Sequence, residues 1–409
     1  MTVRRTHAVV DALSADGAEV RFVGGCVRDA VTGREVRDID LATADRPEAV
    51  LALLARAGIR AVPTGIDHGT ITAVEDGHPF EITTLRVDVE TDGRRAVVAY
   101  TDDWEADASR RDLTINALSC DPAGGLYDYF GGLADARAGR VRFVGDPVVR
   151  IKEDVLRILR FYRFHGEHGR TDPDPAARAA AGQLADRLPA LSGERVQAEL
   201  LRILANDRAA EILDLMVADG VIAHLLPALT DVPGLSRLIE IEGAAGIDGE
   251  PIRRLATALE GDEATAAAVA DRLRLSNADT EKLRRLVGWR DVFSPAADGP
   301  ARRRWFYRHG ASLYGDLALL HAARHDVPAD RMRADIEAAA AWNDPSLPIS
   351  GADVVARGVP EGPAVGAVLT EVETWWIDRD FEPDRPACLA ALDEIVERMS
   401  GQSGTGRQQ

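Results

Sequence analysis

The sequence predicts an α+β fold: a mixed head at the N-terminus followed by an all-helical remainder. Three observations carry this. Up to about residue 135, short apolar and β-branched runs alternate with glycine and aspartate turns. From about residue 145 such runs fade, and Ala, Leu, Arg and Glu recur at helical spacing, as in "VQAELLRILANDRAAEILDLMVADG". The 409 residues are 46% apolar and 28% charged, the balance of a globular protein large enough for several domains.

The elements follow in order. "MTVRRTHAVVDALSADGAEV" reads as a helix, without the apolar core and cleavage site of a secretory signal. "EVRFVGG" is a short strand running into a glycine turn, and "CVRDAVTG" a helical stretch ended by Gly33. "VRDIDLAT" reads as a second strand. "RPEAVLALLARAG" is an amphipathic helix with Pro47 in its first turn and Gly58 just past its end. "IRAVPTG", "GTITAVEDG" and "HPFEITTLRVD" are strand-like. In the helical part, "FSPAADGP" (Phe293 to Pro300) marks a break, and the final "SGQSGTGRQQ" is expected to be disordered.

Net charge is −18, which argues against a protein that coats nucleic acid nonspecifically. A local basic stripe gripping a few phosphates remains compatible with it. Three cysteines, Cys26, Cys120 and Cys388, are odd in number and far apart, so neither a disulfide framework nor a CxxC knuckle is expected. No apolar run reaches membrane-spanning length, so no membrane association is expected, and the expected compartment is the cytoplasm.

Candidate chemistry begins at "RFVGGCVRDAVTGREVRDIDLAT". On a strand, Asp38 and Asp40 project from one face, about 6.5 Å apart along the chain, while Ile39 and Leu41 face the core. Two such carboxylates suit Mg²⁺ shared with substrate phosphates; the same spacing also describes a solvated strand edge. Gly24 and Gly25 let the backbone approach a phosphate, and Arg28 stands three residues on. Glu81 alternates with Phe80 and Ile82 and is a candidate third acid, or simply an exposed strand glutamate.

"SRRDLTINAL" places Arg110, Arg111, Asp112, Thr114 and Asn116 within seven residues. Arginine forks match phosphate oxygens, and Asp112 and Asn116 become neighbours if the segment is helical. "DPVVRIKEDVLRILRFYRFHGEHG" reads as one amphipathic helix, with Ile151, Val155, Ile158, Leu159 and Tyr162 on one stripe. Glu153, Asp154, Arg157, Arg160 and Arg163 spread over the other side, where Asp154–Arg157 is a candidate i,i+3 ion pair. A carboxylate only accepts and a guanidinium only donates. A fixed Asp154–Arg157 pair therefore accepts the amino-donor and ring-acceptor edge shared by cytosine and adenine, and rejects uracil and guanine.

These motifs, with "FEITTLRVD", "YDYFGGLADARAGRVRFVGDP", "RIKEDVLRILRFYRF" and "LSGERVQAELLRIL", resemble the class II tRNA nucleotidyltransferase and poly(A) polymerase family over about residues 20 to 204. The resemblance implies a polymerase-β-like nucleotidyltransferase head (1–135), a neck that reads the base (136–205), a body (206–295), a tRNA-binding tail (296–400) and a disordered end (401–409). It implies metals on Asp38 and Asp40, with Glu81 as third carboxylate. Gly25, Arg28 and Arg111 are expected at the nucleotide, Asp112 and Asn116 near its sugar. Asp154 and Arg157 are expected on the base, with Arg160 and Arg163 as further nucleotide contacts. Ser192 and Glu194 are expected to brace the neck.

"GGCVRD" resembles the CCA-adding type, and "RVDVETDGRRAVVAYTDDWEADASRRD" resembles the intact loop that CC-only enzymes shorten. The implied activity is template-independent addition of CCA to the tRNA 3′ end from CTP and ATP, with Mg²⁺ as cofactor. Poly(A) synthesis, CC-only addition and a non-catalytic RNA-binding role are the alternatives, and no protein partner is implied. Outside these motifs, His325–Asp326 is read as surface rather than a hydrolase pair, and His165 and His168 as a helix end rather than metal ligands. "RRRWFYRHG" suits either an RNA surface or core.

Overall fold

The computed structural model describes residues 4–66, 69–91, 96–325 and 327–404. The chain forms two compact units, Met1–Ile239 with Gly249–Thr280, and Glu240–Asp248 with Glu281–Gln409. Among the described residues no helix is long and apolar enough to cross a membrane.

The first unit opens with helix α1 (Arg4–Leu13) and strand β1 (Val20–Val23), whose four residues are all buried. Gly24, at φ 71° and ψ −125°, turns the chain into α2 (Gly25–Val31). Side chains other than hydrogen rarely adopt that conformation. Strand β2 (Asp40–Thr43), helix α3 (Pro47–Arg56), β3 (Arg60–Gly65), β4 (Thr70–Glu75) and β5 (His78–Thr84) follow. With β8 (Ser119–Cys120) and β9 (Leu126–Tyr127) they make a seven-stranded sheet, order β3-β4-β5-β2-β1-β8-β9. Only the β2–β5 pair is parallel. It sets Asp40 opposite Glu81.

Strand alternation sorts the faces. Phe80 and Ile82 join Leu41, Ile71 and Val20 in a core closed by Val9, Leu13, Val27 and Leu54 from the helices, while Glu81 points to the exposed side. "HPFEITTLRVD", expected as one run, is divided at the fully buried Leu85. Beyond it, β6 (Arg86–Thr91) pairs with β7 (Ala96–Tyr100) as a separate hairpin. Part of the expected loop, residues 92–95, lies outside the described residues.

After α4 (Trp104–Ser109) and α5 (Gly132–Ala138) the chain is helical. Asp146 caps α6 (Pro147–Glu153) by accepting the Val149 N–H, with Pro147 in the first turn. The single helix expected here is two. Asp154 is extended (φ −149°, ψ 106°), and α7 (Arg157–His168) starts three residues later. Most of the apolar stripe survives the break: Ile151, Ile158, Leu159 and Tyr162 are fully buried, while Val155, at the break, is half-buried. Next come α8 (Pro175–Gln183), α9 (Gly193–Ala205), which packs on α7, and α10 (Ala209–Ala218).

The second unit is helical, with a core around Trp376, Val372, Cys388 and Leu392. There Phe306 is core at 1% exposure. Trp305 is half-buried against Trp289, His309, Phe293 and Tyr314. His325 stacks on His321 at 4.2 Å; Asp326 lies outside the described residues. The last helix, Arg385–Gly404, runs into the segment expected to be disordered from 401; residues 405–409 are not described.

Gly132 opens α5 where a Cβ would overlap the Thr114 carbonyl, which is backbone and cannot swing away. Gly132→Ala is expected to lower unfolding free energy by about 1–3 kcal/mol, read from urea midpoints. An unchanged midpoint would mean that α5 slides freely against the Thr114 turn.

Candidate active site

A cleft of about 1010 Å³ in the first unit is lined by eleven of the twelve expected site residues: all but Glu81. Glu81 enters through register instead, directly across from Asp40.

The acidic wall is uneven. Asp40 begins β2 and is half-buried. Burial, then Glu81, and also Asp38, push its carboxyl up to about 6, against the pull of Arg111. Asp38 is exposed and precedes the strand, so the expected same-face strand pair is not formed. On one side the pairing stops: β1 ends at Val23 and turns at Gly24, which removes the antiparallel partner of β2 beyond Asp40. Among the described residues, no three His, Cys, Asp or Glu side chains converge closely enough to cage a metal. The donors are nonetheless all carboxylate oxygens, the ligands hard divalent cations take, and the repulsion on Asp40 from Glu81 and Asp38 is only partly offset by Arg111. That set fits a cation that retains water or substrate phosphate oxygens among its ligands.

The opposite wall is a chain of alternating charges. Arg28, buried, donates from Nε and Nη2 to Asp29 and from Nη1 to Asn116 Oδ1 at 2.6 Å. Asn116 Nδ2 donates to Asp112 Oδ1 at 3.2 Å, and Arg160 Nε to Asp112 Oδ2 at 2.6 Å. Asp112 and Asn116 thus meet as expected, but across a 3-10 turn, Thr114–Asn116, rather than along an α-helix. Arg160 reaches on to Glu199 at 3.5 Å, which accepts from Arg163 at 2.5 Å, and Arg163 donates to Glu167 at 3.0 Å. Burial works to raise Asp112, but the Arg160 charge and three hydrogen bonds hold it below its ordinary pKa. Beneath the network lies Phe164, whose ring faces the guanidiniums of Arg28, Arg160 and Arg163 at 5.3, 5.3 and 4.0 Å.

Arg111 is positioned by Asp107 at 3.4 Å and donates to the Asn116 carbonyl at 3.3 Å. A Cβ on Gly24 would lie 3.0 Å from its Nη1, so the double glycine makes room for this arginine as well as for the turn. Asp107 is 4% exposed and also accepts from Arg110 and the Arg86 N–H.

Asp154 and Arg157 both line the cleft but do not pair with each other. The helix break separates them. Asp154 caps the Leu156 N–H at 3.1 Å and accepts from Arg195 at 2.7 Å. Arg157 donates to Glu153 at 2.7 Å, to the Arg150 carbonyl at 3.0 Å and to the Arg110 carbonyl at 2.8 Å. Ser192 and Glu194 are exposed; the ties from α9 to the neck are made by Arg195 and Glu199 instead.

Sequence reasoning missed Asp107, Phe164, Arg195 and Glu199. Two signals were available. Asp107 stands three and four residues before Arg110 and Arg111, the helical ion-pair spacing. Glu199 falls on the buried stripe of α9 with Val196, Leu200 and Ile203, and a carboxylate there requires a cation opposite.

Residues 20–142 match a profile described as "Poly A polymerase head domain", and residues 172–232 one described as "Probable RNA and SrmB- binding site of polymerase A". The "CCA tRNA nucleotidyltransferase 1, mitochondrial" of Danio rerio is 33% identical over 392 residues, covering 92% of this chain and 87% of that one. The "CCA-adding enzyme" of Levilactobacillus brevis is 29% identical over 398 residues, 94% and 96% of the two chains. Among solved structures, the Bacillus stearothermophilus CCA-adding enzyme in complex with CTP is similar across 98% of both chains, with TM-score 0.72 and 25% identity.

Glu199→Ala leaves Arg163, 5% exposed on its side chain, with one carboxylate fewer in a buried site. The variant is expected to lose about 3 kcal/mol or more of stability, measured by denaturant unfolding. A loss typical of a surface ion pair would show that solvent reaches Arg163.

Proposed function

The chain belongs to the CCA-adding tRNA nucleotidyltransferase family, and on that premise we propose how its residues divide the work. The protein is a nucleotidyltransferase that adds CCA to the 3′ end of tRNA, and it binds nucleotide and tRNA. Enzymes of this family use divalent metal; Mg²⁺ is the ion proposed here, with CTP and ATP as nucleotide donors. The observation that carries the residue assignment is the single cleft: one acidic wall, one wall of phosphate-matching arginines, and Asp154 with Arg157.

In the proposed reaction the tRNA 3′-hydroxyl attacks the α-phosphate and pyrophosphate departs. Asp38 and Asp40, with Glu81 across the sheet from Asp40, would hold the metal. Bound divalent cations supply positive charge for the attacking oxygen and the leaving phosphates. Gly25 leaves its backbone open to the triphosphate, and Arg28 and Arg111 offset triphosphate charge. Asp112 and Asn116 face the sugar, and through Arg160 they tie it to α7, the helix that carries Arg157. Arg160 and Arg163 add positive potential beneath the nucleotide.

Base choice follows from what remains unspent on Asp154 and Arg157. Each Asp154 oxygen carries one hydrogen bond, leaving acceptor capacity on both. Arg157 commits both Nη1 protons and one Nη2 proton, leaving the Nε proton and the second Nη2 proton. Acceptors on one residue and donors on the next match the amino and ring-nitrogen edge of C and A. The same pair meets U and G donor to donor and acceptor to acceptor. For location, three free thiols favour the proposed cytoplasm, and the vertebrate relatives carry "mitochondrial" in their names.

Incubation with tRNA transcripts ending before, within and after CCA, with labelled CTP and ATP supplied singly and together, tests the function. Long A tracts, or a halt after CC, would replace it with the corresponding alternative. Asp40→Ala is expected to cut incorporation by about a thousandfold or more, several kcal/mol of lost charge stabilisation, at unchanged melting temperature. Full CCA synthesis by that variant would refute the metal assignment. Arg157→Ala is expected to reduce discrimination of C and A over U by about tenfold or more, measured as the ratio of kcat/KM values. Unchanged selectivity would sink the template.

A further inference from the structure

Behind the cleft lies a side chamber of about 420 Å³, within the same compact unit. The two spaces adjoin: Arg28, Arg34, Glu167, His168 and Asn206 line both. Beyond them the chamber adds Arg140, Arg170 and Arg208. Five guanidiniums thus face three carboxylates, Asp135, Glu167 and Asp207, in a chain whose total charge is −18.

All three carboxylates have cationic partners, Asp207 lying 3.9 Å from Arg254. Asp135, 1% exposed, accepts from Arg140 at 3.0 Å and Arg142 at 2.6 Å, and Glu167 accepts from Arg163 at 3.0 Å. Arg34 and Arg170 are held differently. Arg34 Nη2 donates to the Glu167 carbonyl at 2.6 Å. Arg170 Nη2 donates to the carbonyls of Arg137 at 2.8 Å and Ala136 at 3.3 Å. Neither meets a carboxylate among the described residues. Arg208 pairs with Glu211 on one edge but also anchors Nη1 on the carbonyls of Gly169, at 2.7 Å, and His165, at 3.1 Å. A neutral carbonyl orients a guanidinium without cancelling its charge. Arg34 and Arg170 are thus fixed cations with unspent donors, while Arg208, its charge met by Glu211, has one Nη2 proton left over from these bonds.

The backbone is shaped for this. Gly139, at φ 70°, accepts the Arg170 N–H at 2.8 Å, and a Cβ there would lie 2.6 Å from Arg170 Cβ. Gly169 passes so close to His165 that a Cβ would overlap its ring and carbonyl. These glycines let the 165–170 segment fold tightly enough to bring Arg170 and Arg208 to one space. Burial and the charges of Arg28 and Arg34 push His168 below its ordinary pKa, against the pull of Glu167.

We propose that this chamber is a second phosphate-binding site, in which Arg34, Arg170 and Arg208 hold a phosphate group leaving or entering the cleft. Guanidinium forks and phosphate oxygens match in shape and charge. Two partners of the reaction carry such oxygens: the RNA strand behind the 3′-hydroxyl, and the pyrophosphate product. The inference rests on the cleft being the site of nucleotide addition.

The test uses full-length Arg34→Gln, Arg170→Gln and the double variant. The KM for tRNA lacking CCA, the KM for CTP and the inhibition constant for inorganic pyrophosphate are measured for each. If RNA occupies the chamber, the double variant raises the tRNA KM by about fivefold or more. Its salt slope of log affinity then falls by about 0.7 for each backbone phosphate the arginines no longer neutralise. If pyrophosphate occupies it, the inhibition constant rises by a similar factor while the tRNA KM stays. Both outcomes support the proposal and name the source. A double variant with wild-type melting temperature and both constants unchanged overturns it. Should Arg170→Gln unfold the turn, Arg34→Gln, an exposed side chain bonded only to one carbonyl, decides by the same two constants. Direct titration of tRNA and pyrophosphate onto the folded proteins reads the chamber even if wild type incorporates no CTP; that failure would count against the cleft assignment instead.

Discussion

The cleft depends on a run of hydrogen-bonded charged and polar side chains. It passes from Asp29 through Arg28, Asn116, Asp112, Arg160, Glu199 and Arg163 to Glu167. Arg28, Asp112, Arg163 and Glu199 are all less than a tenth exposed. A buried charge without its partner costs several kcal/mol, so each member is tolerable only because its neighbours are present. The run also joins four separate pieces of chain: α2, the Thr114 turn, α7 and α9. Electrostatics here does what apolar packing does in the sheet: it fixes the helical segments against the head. The cleft's donors and acceptors are therefore aimed before any substrate arrives.

The break at Asp154 has a comparable role in the neck. Had the segment continued as one helix, Asp154 and Arg157 would sit three residues apart on one face and neutralise each other. An internal ion pair is a poor reader of bases, because its best donors and acceptors are spent. The extended residue sends Asp154 to Arg195 and Arg157 to Glu153 and two carbonyls. Each group is held, yet each keeps hydrogen-bonding capacity for a third party. In the proposed base-reading role this arrangement favours selection by mismatch, since a wrong base leaves polar groups unpaired at a cost larger than a single good contact.

Much of this was legible in the sequence, for reasons that can be named. The head strands were visible because period-2 alternation and glycine turns are local, and β1, α2, α3, β3 and β4 lie where those patterns put them. The cleft residues were visible because their types are chemically unusual in such density. What escaped was non-local. The split at Leu85 depends on which sheet each half joins. The end of β2 at Asp40 depends on where β1 runs out of backbone to pair with. The break before Arg157 left no glycine or proline mark: in "KEDVLRIL" only Asp154 and Val155 are weak helix formers, and tertiary ties to Arg195 and Arg110 add to that weakness. Asp107 and Glu199 are intermediate cases, each with a spacing or stripe signal that only gains meaning once the opposing arginines are known.

The acidity of the chain gives these few arginines their leverage. With a net charge of −18, most of the surface repels a polyanion, so nonspecific RNA binding is weak. Attraction is confined to places where guanidiniums outnumber carboxylates, and the cleft and its side chamber are such places. An enzyme that must release one tRNA and accept the next gains from that contrast. On the proposed assignment, local contacts in the cleft would align the 3′ end. The same contrast explains why the arginines are anchored on carbonyls and turns rather than on long free side chains. A fixed cation in a repulsive field defines one path for the strand, whereas a mobile one would only raise the general affinity for RNA.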